Sequence, residues 1–356
     1  MFMKVQENMI FDQMPLVSIG MPIYNVEQYL ERSLLSALDQ TYQNIEILTV
    51  DDCGTDHSMD IVERLRNNHP KGNCIRVIRQ PHNMGQGEAR NAVIDNAKGK
   101  YIYLMDSDDY IEPNTISLMV PEAEKNQADV VHTVARTVYH GSNRIDQDFP
   151  YQAYRVIKGK DEFPKVVCAD LRRHVSFCCW NILYNLDFLR RNKLRFFRVK
   201  CEDVLFFSDY YSCVECAVMM PDVTYNYLVR EGSTMGYMQR TVIPVRDIRM
   251  WFDANMLMLQ HAKRLSERSF YDVHCARVMK WNFRSVCVAL RHRHRFDEKL
   301  TDSEIRQNLQ HPSTIKEILT FKRYRMVNLF FKVLGLLPSW LCVRISNLVG
   351  KMIRWI

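Results

Sequence analysis

The chain has 356 residues, enough for about two domains or one large domain with an extension, and its 47% hydrophobic and 25% charged residues exclude a disordered or fibrous protein. The formal net charge is +7, and residues 313–356 carry all of it with eight basic residues and one acidic residue, which excludes a uniformly basic surface for nucleic acid. No stretch approaches the roughly 20 uncharged apolar residues of a membrane-spanning helix, and residues 1–15 lack the apolar core of a secretory signal, so we expect a cytoplasmic protein.

The first part of the chain alternates short β-rich runs with helical patterns. The predicted elements are strands over residues 16–21, 45–50, 75–79 and 101–105, and helices that begin near Val26, after Thr55 and near Gly87. The strand runs are continuously apolar, which is typical of parallel strands covered on both faces. We therefore predict the α/β class, with a mostly parallel sheet, helices on both faces and right-handed crossovers.

Polar residues follow three of these predicted strands. They are the segments 22–25 (PIYN), 51–56 (DDCGTD) and 106–109 (DSDD). Ligands of such sheets bind beyond the carboxyl ends of the strands, where these segments meet, although each segment alone also fits a helix cap or a turn. Three carboxylates within four residues repel one another unless a cation or hydrogen-bond donors hold them. Hard oxygen ligands favour Mg²⁺ or Mn²⁺, whose coordination shell substrate phosphates complete, so the segments predict a nucleotide diphosphate site.

Glycine-rich phosphate loops are absent from the expected positions. The first strand-to-helix turn contains no glycine, and the glycine-containing segment 85–90 follows the third strand and ends in Arg90. No GxxxxGK[ST] sequence occurs. These observations exclude most dinucleotide-dependent dehydrogenases and P-loop NTPases.

Four segments, VSIGMPIYN, VDDCGTD, NMGQGEARN and YIYLMDSDD, occur in an order and spacing similar to the family 2 glycosyltransferases with the GT-A fold, of the bacterial cell-surface polysaccharide type. The resemblance covers residues 14–125 and continues more weakly over 178–236, through CWNILYN, CEDVLFF and YNYLVREGST. It implies a GT-A catalytic domain over residues 1–236. Its nucleotide-binding half spans about 14–125 and its acceptor half about 126–236.

The resemblance implies the residues that bind the nucleoside. Pro22 and Tyr24 would border the nucleobase, and Asn25 would belong to the same nucleotide-sugar site. Asp52 would accept the imino hydrogen of the base. These roles suit the chemistry, because an aromatic face stacks on a base and a carboxylate accepts a hydrogen bond from N–H.

The resemblance also implies the residues around the diphosphate. Asp106 would approach the ribose and the metal, and Asp108 would ligate Mn²⁺ or Mg²⁺. Arg90 would approach the nucleotide, although an ion pair on a helix face with a neighbouring aspartate is an open alternative. Arg230 and Ser233 would lie on a loop near the diphosphate.

The acceptor side follows from the same resemblance. Asp203 would act as the general base that takes the proton from the acceptor hydroxyl, with Glu202 beside it. A favourable position in the first turn of a helix is the alternative explanation for this acidic pair. Trp180 would offer its ring to the apolar face of a sugar, with Asn181 next to it, although a core position fits Trp180 equally well. Many family members carry lysine where Ile182 stands.

The end of the chain predicts two amphipathic helices after a helical region over 237–312. The apolar stripes are Met326, Leu329, Phe330, Val333 and Leu337, and then Leu341, Ile345, Leu348, Met352 and Trp355. Basic residues oppose both stripes, and Pro338 separates the helices. This pattern favours association of residues 313–356 with an anionic membrane surface, released by high salt or by truncation after Pro312, although packing of both stripes on the catalytic domain is the alternative.

The eleven cysteines are odd in number and scattered, so we expect reduced thiols, with a zinc site at Cys213 and Cys216 left open. Together the observations predict a metal-dependent inverting glycosyltransferase, peripheral on the inner face of the membrane. It would move a sugar from a nucleotide diphosphate, expected to be UDP, to a hydroxyl of a lipid-linked glycan. A catalytically silent sugar-nucleotide-binding scaffold is the alternative. A nucleotidyltransferase would need a glycine-rich and basic loop after the first strand, which the segment 22–25 is not.

Overall fold

The computed structural model describes residues 14–142, 144–146, 153–168, 178–199, 201–230 and 240–352. Contacts divide the chain into two compact units. The first comprises residues 1–163, 176–198 and 213–230, and the second comprises 164–175, 199–212 and 231–356. The helical region and the basic terminal segment thus belong to one unit. That unit also includes residues 199–212, which the sequence-based division assigned to the catalytic domain.

A mixed sheet forms the first unit. Within the described residues its strands are β1 (Val17–Ile23), β2 (Ile45–Asp51), β3 (Ile75–Arg79), β4 (Tyr101–Leu104), β5 (Tyr110–Ile111), β6 (Val130–Tyr139), β7 (Ile145–Asp146), β8 (Arg155–Lys158), β9 (Ile182–Asn185) and β10 (Cys216–Val229). The order is β3-β2-β1-β4-β9-β6-β10-β5, with β7 beside β6 and β8 beside β10. The first four are parallel, as predicted, and β6 and β10 form a second parallel pair. Strand β9 runs antiparallel between β4 and β6 and joins the two parallel groups.

Three helices lie where the sequence predicts them, namely α1 (Glu27–Leu38), α2 (Ser58–Asn68) and α3 (Gln86–Asn96). The structure adds α4 (Thr115–Asn126), α5 (Glu162–Cys168) and α6 (Leu186–Arg191). The predicted apolar stripe of α1, from Val26 to Leu38, is buried because it packs on the sheet. Strand β1 runs two residues beyond its predicted end, since Pro22 pairs with Val50 in the ladder.

The second unit is helical. Its helices are α7 (Glu202–Tyr211), α8 (Val245–Arg264), α9 (Tyr271–His292), α10 (Asp302–Gln307), α11 (Ile315–Thr320), α12 (Arg325–Leu336) and α13 (Ser339–Met352). Pro338 separates α12 from α13, as predicted. A Cβ atom on Gly335 would lie 2.4 Å from the Leu309 carbonyl oxygen, and one on Gly350 would lie 2.8 Å from the Cys287 sulfur. Both terminal helices are therefore packed closely on this unit. None of the described helices combines the length and hydropathy needed to cross a bilayer.

Candidate functional site

Three carboxylates gather in the loop after β4. One oxygen each from Asp106, Asp108 and Asp109 can be chosen so that all lie within 4.8 Å of one another. Among the described residues this is the one group of His, Cys, Asp or Glu side chains with such spacing, and Cys213 and Cys216 are not part of it. The structure therefore brings the predicted acidic segment together as a cluster.

Asp109 supports this loop from inside. Its side chain is 0% exposed, the Tyr225 hydroxyl donates to one carboxylate oxygen at 2.7 Å, and the Leu228 N–H donates to the other at 2.7 Å. Burial raises the pKa of Asp109 well above its ordinary value, and the charges of Asp108 and Asp106 raise it further. Because protein donors already occupy both oxygens, Asp109 holds the loop and leaves Asp106 and Asp108 to face a ligand.

Each of these two outer carboxylates pairs with its own arginine. Arg90, which is buried, donates to Asp106 at 2.6 Å. Arg230 donates through Nε to Asp108 at 2.8 Å. Burial raises the pKa of Asp108, and the negative charge of Asp106 raises it as well, against the opposing effect of Arg230. The ion pair of Arg90 is thus made with the acidic loop itself.

The acidic loop fits a hard divalent cation. Asp106 and Asp108 offer carboxylate oxygens, the ligand type that Mg²⁺ and Mn²⁺ prefer, and they leave most coordination positions for water or phosphate. Burial, and then the charge of Asp106, raises the pKa of Asp108, and a bound cation would favour its ionised form. Asp106 and Asp108 are therefore the residues that would hold such an ion.

The loops after β1 and β2 contact each other at the same end of the sheet as the acidic loop. Tyr24 is 45% exposed, whereas Pro22 is buried within β1. Asn25, which has a positive φ of 50°, accepts a hydrogen bond from the Thr55 N–H through its amide oxygen at 2.8 Å. Asn25 thus joins the two loops, and Tyr24 is the side chain of the segment 22–25 that presents a large exposed ring.

Asp52 connects β2 to the loop before α3. Its two carboxylate oxygens accept the N–H groups of Met84 at 2.7 Å and Gly85 at 2.9 Å, and the residue is 3% exposed. Gly85 has a φ of 88°, a conformation that favours glycine. Asp52 therefore fixes the loop over residues 84–85, in addition to any contact with a base.

Trp180, which the sequence predicts on the acceptor side, belongs to an aromatic stack. The ring of half-buried Trp180 is parallel to that of Tyr225, with centroids 4.4 Å apart, and to that of Tyr227, with centroids 5.5 Å apart. The Tyr225 hydroxyl also accepts a hydrogen bond from the Asp106 N–H at 3.1 Å. One tyrosine thus contacts both the predicted acceptor platform and the acidic loop.

Asn181, predicted on the acceptor side, is a buried residue. The residue is 5% exposed and has a positive φ of 60°. Its amide oxygen accepts hydrogen bonds from three hydroxyls, those of Tyr103 at 3.2 Å, Thr133 at 2.7 Å and Thr224 at 3.0 Å. Its amide nitrogen donates to the Thr133 carbonyl at 3.1 Å. These bonds direct the side chain inward.

Glu202 and Asp203 begin helix α7 in the second unit. Cys201 precedes them with a positive φ of 61°, Glu202 is buried and Asp203 is half-buried. Asp203 accepts the Val204 N–H through one carboxylate oxygen at 2.9 Å. Both acidic residues therefore occupy the first helical turn, as the sequence pattern predicts. Ser233 lies outside the described residues.

Two tyrosines that are not among the predicted site residues contact the residues of the site. The spacing of two between Tyr225 and Tyr227 is a sequence signal for Tyr225, since it places both rings on one face of β10. The ring of Tyr29 lies 4.6 Å from the guanidinium carbon of Arg230. Their roles depend on contacts between distant parts of the chain.

Sequence comparison finds a family model and relatives that are described as glycosyltransferases or polysaccharide synthases. The family model described as "Glycosyl transferase family 2" matches residues 18–200, just over half of the chain. A Bacillus subtilis protein described as the uncharacterized glycosyltransferase EpsJ is 35% identical over 197 residues, covering 55% of this chain and 54% of EpsJ. A hyaluronan synthase from Pasteurella multocida is 37% identical over 133 residues, covering 37% of this chain and 13% of the synthase. The chain thus spans about half or less of these relatives.

Structure comparison finds the same fold in S. aureus TarS. The crystal structure of TarS 1–349 in complex with UDP-GlcNAc superposes with a TM-score of 0.65 at 18% sequence identity, covering 94% of this chain and 91% of that one. The structure titled TarS 1–349 alone gives a TM-score of 0.66 at 17% identity. At this identity the similarity concerns the fold.

Proposed function

Because the chain belongs to glycosyl transferase family 2, we propose that it transfers a sugar from a UDP-sugar to a hydroxyl of a lipid-linked glycan during synthesis of a cell-surface polysaccharide. The observation that carries this proposal is the cluster of Asp106 and Asp108 beyond the carboxyl end of β4, one of the four parallel strands of the mixed sheet. The UDP-GlcNAc complex of the structurally similar TarS supports a uridine donor, and the polysaccharide synthases among the relatives support a glycan acceptor.

Three loops would bind the donor. The exposed ring of Tyr24 would stack on the base, and Asp52 would accept its imino hydrogen while it keeps its two backbone hydrogen bonds. Asp106 would contact the ribose. Arg90 would keep Asp106 oriented, because its buried guanidinium donates a charge-assisted hydrogen bond to that carboxylate at 2.6 Å. Pro22 and Asn25 would shape the pocket from the backbone of β1 and its following loop.

Asp108, with Asp106, would hold a divalent cation next to the diphosphate. When bound, Mn²⁺ or Mg²⁺ would neutralise charge that develops on the leaving group. Asp109 would keep both ligands in position, since its carboxylate fixes the loop to β10. Arg230 would contact the same diphosphate from the end of β10.

Asp203 would be the general base for the attacking hydroxyl. Its half-buried position in the first turn of α7 supports this role, because the Val204 N–H, which donates to one carboxylate oxygen, orients the side chain. A single displacement of the diphosphate would invert the anomeric configuration. Trp180 would pack against the acceptor sugar, and Glu202 would also take part in acceptor binding. Asn181 would act indirectly, because its hydrogen bonds fix the backbone next to Trp180.

We also propose that the enzyme works at an anionic membrane surface through residues 313–356. Nine of the fifteen large apolar side chains that are exposed in the described residues lie between Ile315 and Met352. Five basic side chains in the same segment are exposed, namely Lys316, Lys322, Arg325, Arg344 and Lys351. Apolar and basic groups side by side favour a bilayer interface, where a lipid-linked acceptor is available.

Two substitutions separate donor binding from chemistry. Asp108→Ala should weaken Mn²⁺-dependent UDP-sugar binding by at least about 100-fold, since even groups that only support metal ligands cost 10- to 100-fold. Asp203→Asn should leave donor binding within about two-fold but lower kcat by about 10²- to 10⁴-fold, the usual contribution of a general base. Donor binding is measured by calorimetry, and turnover by hydrolysis of a panel of nucleotide sugars with and without Mn²⁺.

The surface variant Asp60→Asn, on the exposed face of α2, serves as the isosteric control. Equal loss of donor binding in the Asp108 and Asp203 variants would contradict the division of roles. Saturable donor binding by the unmodified protein, without hydrolysis or transfer, would instead favour the scaffold.

A further inference from the structure

Arg230 is held by two groups on the acidic side of the sheet. Its Nε donates to Asp108 at 2.8 Å, and its guanidinium carbon lies 4.6 Å from the centre of the Tyr29 ring. The Tyr29 ring is in turn packed edge-on against His140, with ring centroids 5.5 Å apart. Cation–π stacking on Tyr29 would therefore keep the guanidinium near the acidic loop even without the ion pair.

The two arginines of the site differ in how firmly they are enclosed. The Arg90 side chain is 3% exposed, whereas that of Arg230 is 14% exposed and follows the last residue of β10. Asp106 therefore has a fully buried partner. Asp108 has a more exposed partner, whose guanidinium loses less compensated buried charge when it leaves the carboxylate.

We infer that the guanidinium of Arg230 takes the place of the metal ion on the Asp108 carboxylate. A divalent ion must then displace this guanidinium before the donor binds. This inference rests on the proposed function, because it assigns Asp108 to the metal. The displaced guanidinium would remain on Tyr29 and face the donor diphosphate, for which its planar donors are suited. Arg230 would thus oppose binding of the metal alone and favour binding of the metal with the diphosphate.

The expected signature is a pair of effects in opposite directions. Arg230→Gln should tighten Mn²⁺ binding to the nucleotide-free protein by about ten-fold, since a charge-assisted hydrogen bond no longer competes for Asp108. The same variant should weaken UDP binding at saturating Mn²⁺ by about ten-fold or more. Free Mn²⁺ is counted by electron paramagnetic resonance, and UDP binding is measured by calorimetry, so neither readout depends on turnover.

Arg136→Gln is the matched control, because Arg136 is also a partly buried arginine of the first unit, with a carboxylate partner, Glu112, at 2.7 Å. It tests whether loss of one positive charge from this unit is enough to tighten Mn²⁺ binding. Arg230→Lys keeps the charge without the planar fork and should fall between the wild type and Arg230→Gln in both measurements. Thermal unfolding of each variant shows whether it is folded.

Unchanged or weaker Mn²⁺ binding by both Arg230 variants would overturn the inference while leaving the proposed function intact. Equal tightening by Arg136→Gln would overturn it as well, because the effect would then be general electrostatics. A wild-type protein that binds UDP equally with and without Mn²⁺ would make Arg230 a permanent partner of Asp108, which also contradicts displacement. Failure of the wild type to bind Mn²⁺ or any UDP-sugar would count against the proposed function itself.

Discussion

The hydroxyl group of Tyr225 connects the acidic loop to the sheet at two points. It donates to the Asp109 carboxylate at 2.7 Å and accepts from the Asp106 N–H at 3.1 Å. Burial raises the pKa of Tyr225 well above its ordinary value, with the charge of Asp109 adding to the effect, so the hydroxyl keeps its proton. A buried carboxylate and a backbone N–H both depend on this one group, and its loss should be felt at the ligands of the site.

Tyr225→Phe should therefore weaken Mn²⁺ binding by about three- to ten-fold and lower the free energy of unfolding by about 1–2 kcal/mol, because Asp109 loses a donor and the Asp106 N–H loses its acceptor. Mn²⁺ titration and urea unfolding measure the two effects. Tyr101→Phe is the control, since it also removes a hydroxyl that is bonded to a carboxylate, that of Glu124 at 2.6 Å. Identical Mn²⁺ affinity in wild type and Tyr225→Phe would show that the loop does not need this support.

At this scale the sequence predicts the residues that directly follow apolar strands, because the end of a strand can be read from composition. It does not predict the ion pair between Asp108 and Arg230, which are 122 positions apart, nor the contact between Asp106 and Tyr225, 119 positions apart. Asn181 shows that even a residue next to a strand cannot be assigned to the surface or the core from the sequence alone. An asparagine beside a short strand can face solvent or the core, and only the hydroxyls around it decide which.

At the scale of elements, α12 and α13 are apolar on two sides. Their inward residues include Phe331 and Leu334 on α12, and Cys342 and Val343 on α13. Of the stripes identified in the sequence, the described residues are half-buried or exposed, and Trp355 lies outside the described residues. Helical periodicity could predict the helices and their break at Pro338, but it could not tell which of two apolar sides would be covered. Truncation after residue 312 would remove buried residues, so surface substitutions are the sharper test.

The exposed side can be tested with single side chains that do not support the fold. Met326 is 73% exposed and Leu348 is 61% exposed. We expect Met326→Ser with Leu348→Ser to lower binding to vesicles of equal parts phosphatidylcholine and phosphatidylglycerol by about ten-fold, because two apolar side chains lose their contact with the acyl region. Co-sedimentation with the vesicles measures this binding.

Met250→Ser, a change at a 44% exposed methionine of α8, is the matched control and should leave vesicle binding unchanged. Replacing Lys322 and Lys351 with Glu should abolish the difference between anionic and purely phosphatidylcholine vesicles, since each basic residue contributes about 1 kcal/mol near an anionic surface. Equal sedimentation of all variants would exclude this surface as the docking site.

At the scale of the whole molecule, each unit contains a buried histidine that stays neutral. Burial lowers the pKa of His132, on β6, to about 3. Burial, with the nearby charge of Arg277, lowers the pKa of His274, on α9, to about 3 as well. In the unfolded chain both titrate near 6.5, so between these values the unfolded state binds more protons than the folded one. The contribution of these two histidines to the free energy of unfolding is then complete above about pH 6.5 and is lost as the pH is lowered.

We expect each histidine to cost about 2 kcal/mol of unfolding free energy between pH 7.5 and pH 5. Urea unfolding of the full chain at the two pH values measures the loss. His132→Gln should reduce the pH dependence by about that amount, whereas the exposed His294→Gln should leave it unchanged. A His132→Gln variant with the pH dependence of the wild type would show that this imidazole is not the source.

The doubly apolar character of α12 and α13 has a kinetic consequence. One side of each helix belongs to the core of its unit, so the exposed side is not attached through a flexible linker. If that side binds a bilayer, the second unit would rest on it in a fixed orientation. Encounters with a lipid-borne substrate would then occur by lateral diffusion within two dimensions. The turnover rate would follow the surface density of the acceptor lipid, and adding inert lipid would slow the enzyme even when the bulk concentration of every reactant is constant.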